Sequence, residues 1–165
     1  MQPYFIQLYY LEINKTNKVL FLYIKYVGNE RSNIVSQIIK EMSTIYRTRH
    51  YDFMGYTFRT INDLSYHHII KRVDGGPKII ENRALLVRDT SHPYLHIIEE
   101  REYDMYVYIN EILKIINNQQ RPPTKEQLIK IREVLLEFEA YHLKDKNSDG
   151  KQLIKQRYLT RRIDL

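Results

Sequence analysis

A chain of 165 residues with 43% hydrophobic and 28% charged side chains can bury one sizeable core and is too apolar to stay disordered. It contains no cysteine, which excludes disulfide staples and thiolate zinc fingers and leaves only nitrogen and oxygen ligands for any metal. The net charge of +6 is unevenly placed: residues 1–50 carry +4, residues 51–100 carry −1 and residues 101–165 carry +3. A near-neutral middle between basic ends suits a grip on a polyanion around a central site.

The opening "MQPYFIQLYYLEINK" has no basic stretch ahead of its apolar residues, so no signal peptide is expected. The longest apolar run, "VLFLYI" (Val19 to Ile24), is bracketed by Lys18 and Lys25 and falls far short of the roughly 20 residues of a membrane span. A cytoplasmic protein is the expectation. Residues 4–13 and 18–27 are β-branched and aromatic runs on either side of "NKTNK", which predicts a hairpin. From Ser32, a capping residue, Ile34, Val35, Ile38, Ile39, Met42, Ile45 and Tyr46 recur at helical spacing.

"YDFMGYTF" reads as a turn into an extended segment and "NDLSYHHII" as a second extended segment. The stretch "VDGGPK" is a loop, since Asp-Gly-Gly-Pro combines residues tolerant of positive φ with a breaker. A short apolar strand follows in "ENRALLV". Thr90 or Ser91 can then cap a helix with Pro93 in its first turn, and helical spacing continues, with a break near Glu102, through Ile109, Ile112, Leu113 and Ile116. "NNQQRPP" ends it, and Thr124 with Gln127 forms a capping box for a helix running to about Lys144. A short basic helix or tail closes the chain after "KNSDG". The expectation is an α+β fold in one domain, a strand–loop–strand–helix unit over 56–100 embedded among helices. Residues 1–50 form an N-terminal extension of hairpin and helix, and residues 101–165 a helical part with a basic tail.

Four of the six histidines fall between His67 and His96. Adjacent residues on a strand point to opposite faces, so His67 and His68 are expected to do different work. His92 and His96, four apart on a predicted helix, share a face and can clamp one ion. The run "HHIIKRVDGGPKIIENRALLVRDTSHPYLH" (His67 to His96) resembles the motif of the HNH nucleases, the ββα-metal finger shared with colicin nuclease domains. "YDFMGYTF…DLSYHHII" and the terminal "RRIDL" are more weakly similar to small phage and bacterial members. The resemblance implies His67, His92 and His96 as metal ligands, His68 as general base, and Asn82 as the residue that ties the loop and orients that base. The chain departs from the family's pattern in Lys71, where proline is common, and in Arg83, where an apolar residue is common. The interval from Asn82 to His92 is also about one residue longer than in many members, and no cysteine knuckles accompany the motif.

The chemistry this implies is hydrolysis of DNA phosphodiesters. Three neutral imidazoles leave a cation its full charge and an open position, and a fourth, unbound histidine can take a proton from water near neutral pH. An all-histidine set suits Zn, Ni, Co or Mn better than Mg, although Mg or Mn can serve cleavage in a protein isolated with Zn. Arg59, Lys71, Arg72 and Arg83 are near enough in sequence to meet phosphates, and Asp63 and Asp74 are candidates to hold a liganding histidine. His50 and His142 are expected at the surface and Asp89 at a helix N-terminus. The expected partner is DNA, most simply double-stranded, with a homodimer or a phage packaging partner left open. The alternative is a DNA-binding or inhibitor protein that keeps the scaffold without cutting. A purely structural zinc domain would leave His68 and Asn82 without a purpose.

Overall fold

The computed structural model describes residues 33–48, 50–143 and 154–165. The chain divides into two units, Met1–Gln37 and Ile38–Leu165, and all the described residues from 38 onward belong to the second. The expected hairpin over residues 4–27 lies outside the described residues, as does "KNSDG".

The described elements are a mixture of helices with one small antiparallel sheet. Residues 33–45 are helical (α1), as the apolar spacing from Ile34 predicts. Ile39, Met42 and Tyr46 are buried, and Tyr46 meets Phe53 edge to face at 5.0 Å. A turn follows over 52–55, with Gly55 at φ +80, a conformation that residues bearing a Cβ rarely adopt. Asp52 organises this turn. Its Oδ1 accepts from the N–H groups of Met54 and Tyr56, each at 2.9 Å, and its Oδ2 accepts from Val87 N–H at 2.8 Å and from the Ser91 hydroxyl. One fully buried carboxylate therefore fastens the turn to the end of a strand and the start of a helix.

That strand pair is β1 (Leu64–His68) and β2 (Arg83–Val87). They run antiparallel with Leu64 opposite Val87, His67 opposite Ala84 and His68 opposite Arg83. β2 is buried along its whole length, whereas Ser65, Tyr66 and His68 of β1 are only half-buried. α2 (Ser91–Arg101) packs on both strands, and α3 (Tyr103–Gln119) packs on α2 and β2. The break between α2 and α3 falls at Glu102, whose extended φ of −140° lets the chain turn while its N–H still reaches Ile98 carbonyl at 2.7 Å.

α3 buries Tyr106, Ile109, Ile112, Leu113 and Ile116, a continuous i, i+3, i+4 stripe. It ends at Gln120 in the left-handed region ahead of Pro122 and Pro123. α4 (Lys125–His142) starts from the expected capping box: Thr124 N–H donates to Gln127 Oε1 at 2.8 Å and Gln127 N–H donates to Thr124 Oγ1 at 3.3 Å. The last helix, α5 (Gln156–Thr160), leads into a terminal strand-like segment that returns to the 52–57 turn. There Thr57 N–H donates to Arg161 carbonyl at 2.7 Å and Ile163 N–H to Gly55 carbonyl at 3.0 Å. No helix among the described residues is long and apolar enough to cross a membrane.

Candidate metal centre

Strand alternation decides the orientation of the histidine doublet. His67 leaves β1 on the face shared with Ser65, opposite the small Ala84, and is buried. α2 approaches this face and brings His92 and His96 on one side of the helix, four residues apart. Ring centroids then stand 5.7 Å apart for His67–His92, 5.4 Å for His67–His96 and 5.2 Å for His92–His96. One ring nitrogen from each lies within 4.8 Å of the others, a spacing from which the three can hold a metal ion.

The neighbours of each ring determine where its proton sits. Ser65 Oγ donates to Leu86 carbonyl at 3.2 Å and stands 2.7 Å from His92 Nδ1. A hydroxyl has one hydrogen; spent on Leu86, it can only accept from His92. That puts the His92 proton on Nδ1 and leaves the Nε2 lone pair free. His96 Nδ1 stands 2.9 Å from Glu99 Oε2, an acceptor-only carboxylate, which again leaves Nε2 free. Lys71 pairs with the other Glu99 oxygen. Burial alone would raise Glu99, but the bonds from Lys71 and His96 prevail and hold it below the ordinary range. Asn110, from α3, stands beside His67, and its Oδ1 and His67 Nε2 are both buried without a hydrogen-bond partner.

A buried imidazole nitrogen with no partner is costly unless something is meant to meet it. Burial, followed by the proximity of His92 and His96, pushes His67 down to about 3. Burial, followed by His96 and His68, pushes His92 down to about 4. Both rings are therefore neutral at physiological pH, the state in which imidazole binds a cation. The donor set fits a divalent metal that favours nitrogen.

His68 is placed differently. It is half-buried on the opposite side of the strand, outside the three-histidine cluster, with its ring against Tyr66 at 5.4 Å. Burial first, and then the guanidinium charges of Arg83 and Arg72, hold it below the ordinary histidine range. It is thus a neutral imidazole close enough to His92 to lower that ring's basicity, with two arginines nearby.

Asn82 closes the loop that follows. Its Oδ1 accepts from Ile70 N–H at 2.7 Å, and its Nδ2 donates to the carbonyls of Ile70 at 2.9 Å and Pro77 at 3.1 Å. The residue two beyond His68 is thereby locked to the far end of the loop. Gly76 is required in that loop, because a Cβ there would come within 2.0 Å of Ile70 carbonyl oxygen.

The four expected phosphate contacts divide. Arg59 and Arg72 are exposed. Lys71 is engaged with Glu99. Arg83 is buried, donates to Lys78 carbonyl at 3.3 Å and lies 4.5 Å from the Tyr66 ring, so packing holds it rather than solvent. Neither Asp63 nor Asp74 supports a liganding histidine through a hydrogen bond. Asp63 accepts from the N–H groups of Arg59 and Thr60 and caps a short turn, and Ser65 and Glu99 do the supporting instead. His50 is exposed as expected. His142 differs from expectation: it lies against Phe138 with its Nε2 2.9 Å from Glu102, part of the α3–α4 packing rather than the open surface. Ser65 and Glu99 had a readable signal, since two residues before His67 on a strand and three after His96 on a helix share those ligands' faces. Asn110 had none, because it arrives from another helix.

In comparisons with known proteins, the chain matches no protein-family model, no curated protein and no solved structure.

Proposed function

We propose that this protein is a metal-dependent DNA endonuclease of the HNH, or ββα-metal, type. The observation that carries the reading is a division of labour within one doublet. His67 turns into a cluster with His92 and His96, while His68, one residue on, is kept out of it, neutral and beside two arginines. Phosphodiester hydrolysis needs both kinds of imidazole, one kind to bind a cation and one to take a proton.

In this reading His67, His92 and His96 hold the cation, with Ser65 and Glu99 fixing the tautomers of the last two. A bound divalent cation supplies Lewis-acid stabilisation of the phosphate oxygen and the leaving 3′-oxygen. His68 takes the proton from the attacking water, which its depressed basicity permits because the ring is already neutral at pH 7. Asn82 holds the backbone just beyond His68 and so limits the directions its ring can take. Arg72, exposed at the loop, meets the negative charge of the phosphate. An all-nitrogen set favours Zn, Ni or Mn as the resident ion, with Mg or Mn as an alternative in turnover.

The deciding assay incubates supercoiled plasmid with the purified protein, with and without Zn, Mn or Mg and with EDTA, beside His68→Ala. Wild type nicks the plasmid only with metal, and His68→Ala retains the metal while losing most of the rate, typically a factor of about 100 or more for a general base. If wild type binds DNA but nicks it with no metal tried, the protein is a non-cutting binder. His68→Ala nicking at the wild-type rate removes His68 from the mechanism.

A further inference from the structure

Beside the triad lies an open groove of about 200 Å³ between the exit of β1 and the side of α3. It shares walls with the metal centre. Tyr106, whose ring meets His67 at 6.1 Å, lines it, and so do Asn110 and Lys71. An occupant would therefore be an immediate neighbour of whatever the centre acts upon.

The chemistry of the lining selects among occupants. Lys71 and Lys114 face Asp74 and Glu111, so the formal charge of the groove is zero, and Lys71 is already committed to Glu99. Glu111 is paired with Lys114 at 3.8 Å, so a phosphate would meet the unpaired carboxylate of Asp74 with no uncommitted cation to offset it. A duplex backbone finds no reason to enter. The apolar surfaces are Ile69, Ile70 and Val107, and at the mouth stands Tyr103, 63% exposed although it opens a helix next to the core. Its ring leans on that of Tyr106 at 5.9 Å, giving a supported aromatic face. Deeper in, Asn110 is buried with its Oδ1 unpartnered. A flat, uncharged ligand with donors and acceptors on its edge answers all of these features.

We propose that this groove takes one unstacked nucleobase of the strand being cut, with Tyr103 as the stacking surface. The inference rests on the endonuclease reading and sharpens it. A base inside a duplex is stacked on both faces and cannot enter, so the favoured substrate has an unpaired nucleotide next to the scissile phosphate, as in a single strand, a gap or a flap. The paired substrate expected from the sequence is then the weaker one.

The chain has no tryptophan, so Tyr103→Trp places a single fluorescent reporter at the groove mouth. Zinc-loaded Tyr103→Trp is titrated with a single-stranded oligonucleotide and with the duplex of the same sequence. Binding of wild type, Tyr103→Ala and Tyr108→Ala is followed in parallel by anisotropy. Tyr108 is an exposed tyrosine of the same helix outside the groove. The single strand is expected to quench the tryptophan to saturation, and Tyr103→Ala to weaken its binding roughly tenfold, the worth of about one stacked base. Tyr108→Ala should leave binding unchanged. An unquenched tryptophan overturns the proposal, as does Tyr103→Ala binding like wild type, or a duplex that quenches as strongly at the same concentration. Binding is read without cleavage. Quenching with no nicking of any DNA would sink the nuclease and keep the base site, whereas nicking without quenching would do the reverse.

Discussion

Two polar clusters in the same unit make opposite use of their buried polar atoms. In the first, Arg162 and Glu139 form an almost wholly buried ion pair in which every neighbour is matched. Tyr94 hydroxyl donates to Glu139 at 2.9 Å. Arg162 donates to Tyr56 hydroxyl and to Tyr158 carbonyl, both at 2.9 Å, and Tyr56 in turn donates to Tyr158 carbonyl at 2.8 Å. Burial pushes both phenols far up, so they remain donors at any pH the fold experiences. In the second cluster, three histidines are brought together, two are driven well down, and a buried ring nitrogen is left with nothing to bond. The first arrangement fixes the C-terminal segment to the turn at 52–57. The second holds lone pairs in reserve, which is how a site built to receive a ligand differs from one built to hold a fold.

The widest separation between them appears on truncation. Arg162→Met leaves Glu139 buried without its counter-charge and is expected to cost about 3–5 kcal/mol, a fall in melting temperature on the order of 10 °C for a unit of this size. His92→Gln removes a ring that is neutral and only partly buried, and should leave the metal-free protein melting close to wild type. Thermal melts of the two variants in EDTA check this directly, and a reversed order would mean that the triad is structural. With zinc the gap between the two variants closes, because Arg162→Met keeps the three histidines and gains as wild type does. At a free concentration about a thousandfold above the dissociation constant, wild type gains about 4 kcal/mol, whereas His92→Gln gains little.

Acid acts in opposite directions on the histidine cluster and on buried Asp52. In the unfolded chain a histidine titrates near 6.5, whereas folded His67 and His92 titrate near 3 and 4. Between those limits the unfolded state binds more protons. The two rings therefore contribute stability that is complete above about pH 6.5 and is lost as pH falls toward 4 and 3. Asp52 works the other way: burial, its dominant influence, raises the carboxyl to about 6 against its four donors. The folded state then binds the extra proton, and stability falls as pH rises from about 4 to 6, after which it is level. The net slope between pH 4 and 6 is expected to be positive with pH, because two histidines oppose one aspartate. Metal-free His67→Gln should flatten that slope. If the variant shows the wild-type slope, the ring is not held neutral by its surroundings.

The same contrast marks what was readable in the chain. Local signals carried well: the 33–45 helix, the Thr124–Gln127 box, the two short strands and the break at Glu102 all follow from spacing and capping within a few residues. The shared face of His92 and His96 also followed from spacing, whereas His67 joined them through the family resemblance, and the three do come within reach of one ion. What stayed hidden depends on distant partners. Asp52 is 39 residues from Ser91, and Glu139 is 23 from Arg162. The segment after "KNSDG" read as a basic helix or tail, yet its Arg162 is core, since nothing in the local sequence says that a carboxylate and two tyrosines await it. Lys71 looked like a phosphate contact for the same reason: its carboxylate partner lies on α2.

The smallest effects test the link between Lys71, Glu99 and His96. Glu99 accepts the His96 proton and so fixes which nitrogen would face a bound cation, and its charge would make that ring a better ligand. Glu99→Gln keeps an acceptor but removes the charge, and should weaken zinc affinity about 10–100-fold. Lys71→Met has two opposing consequences. It frees the Glu99 carboxylate to move, and it takes a positive charge away from the neighbourhood of the cation. The two largely cancel, and for a pair that is partly open to water the remainder should stay under about fivefold. Competition titration with a chromophoric chelator measures both, and cobalt spectra report whether the ligand geometry has changed. Should Lys71→Met prove the more damaging variant, the ammonium would be the anchor of the site and Glu99 only its tether.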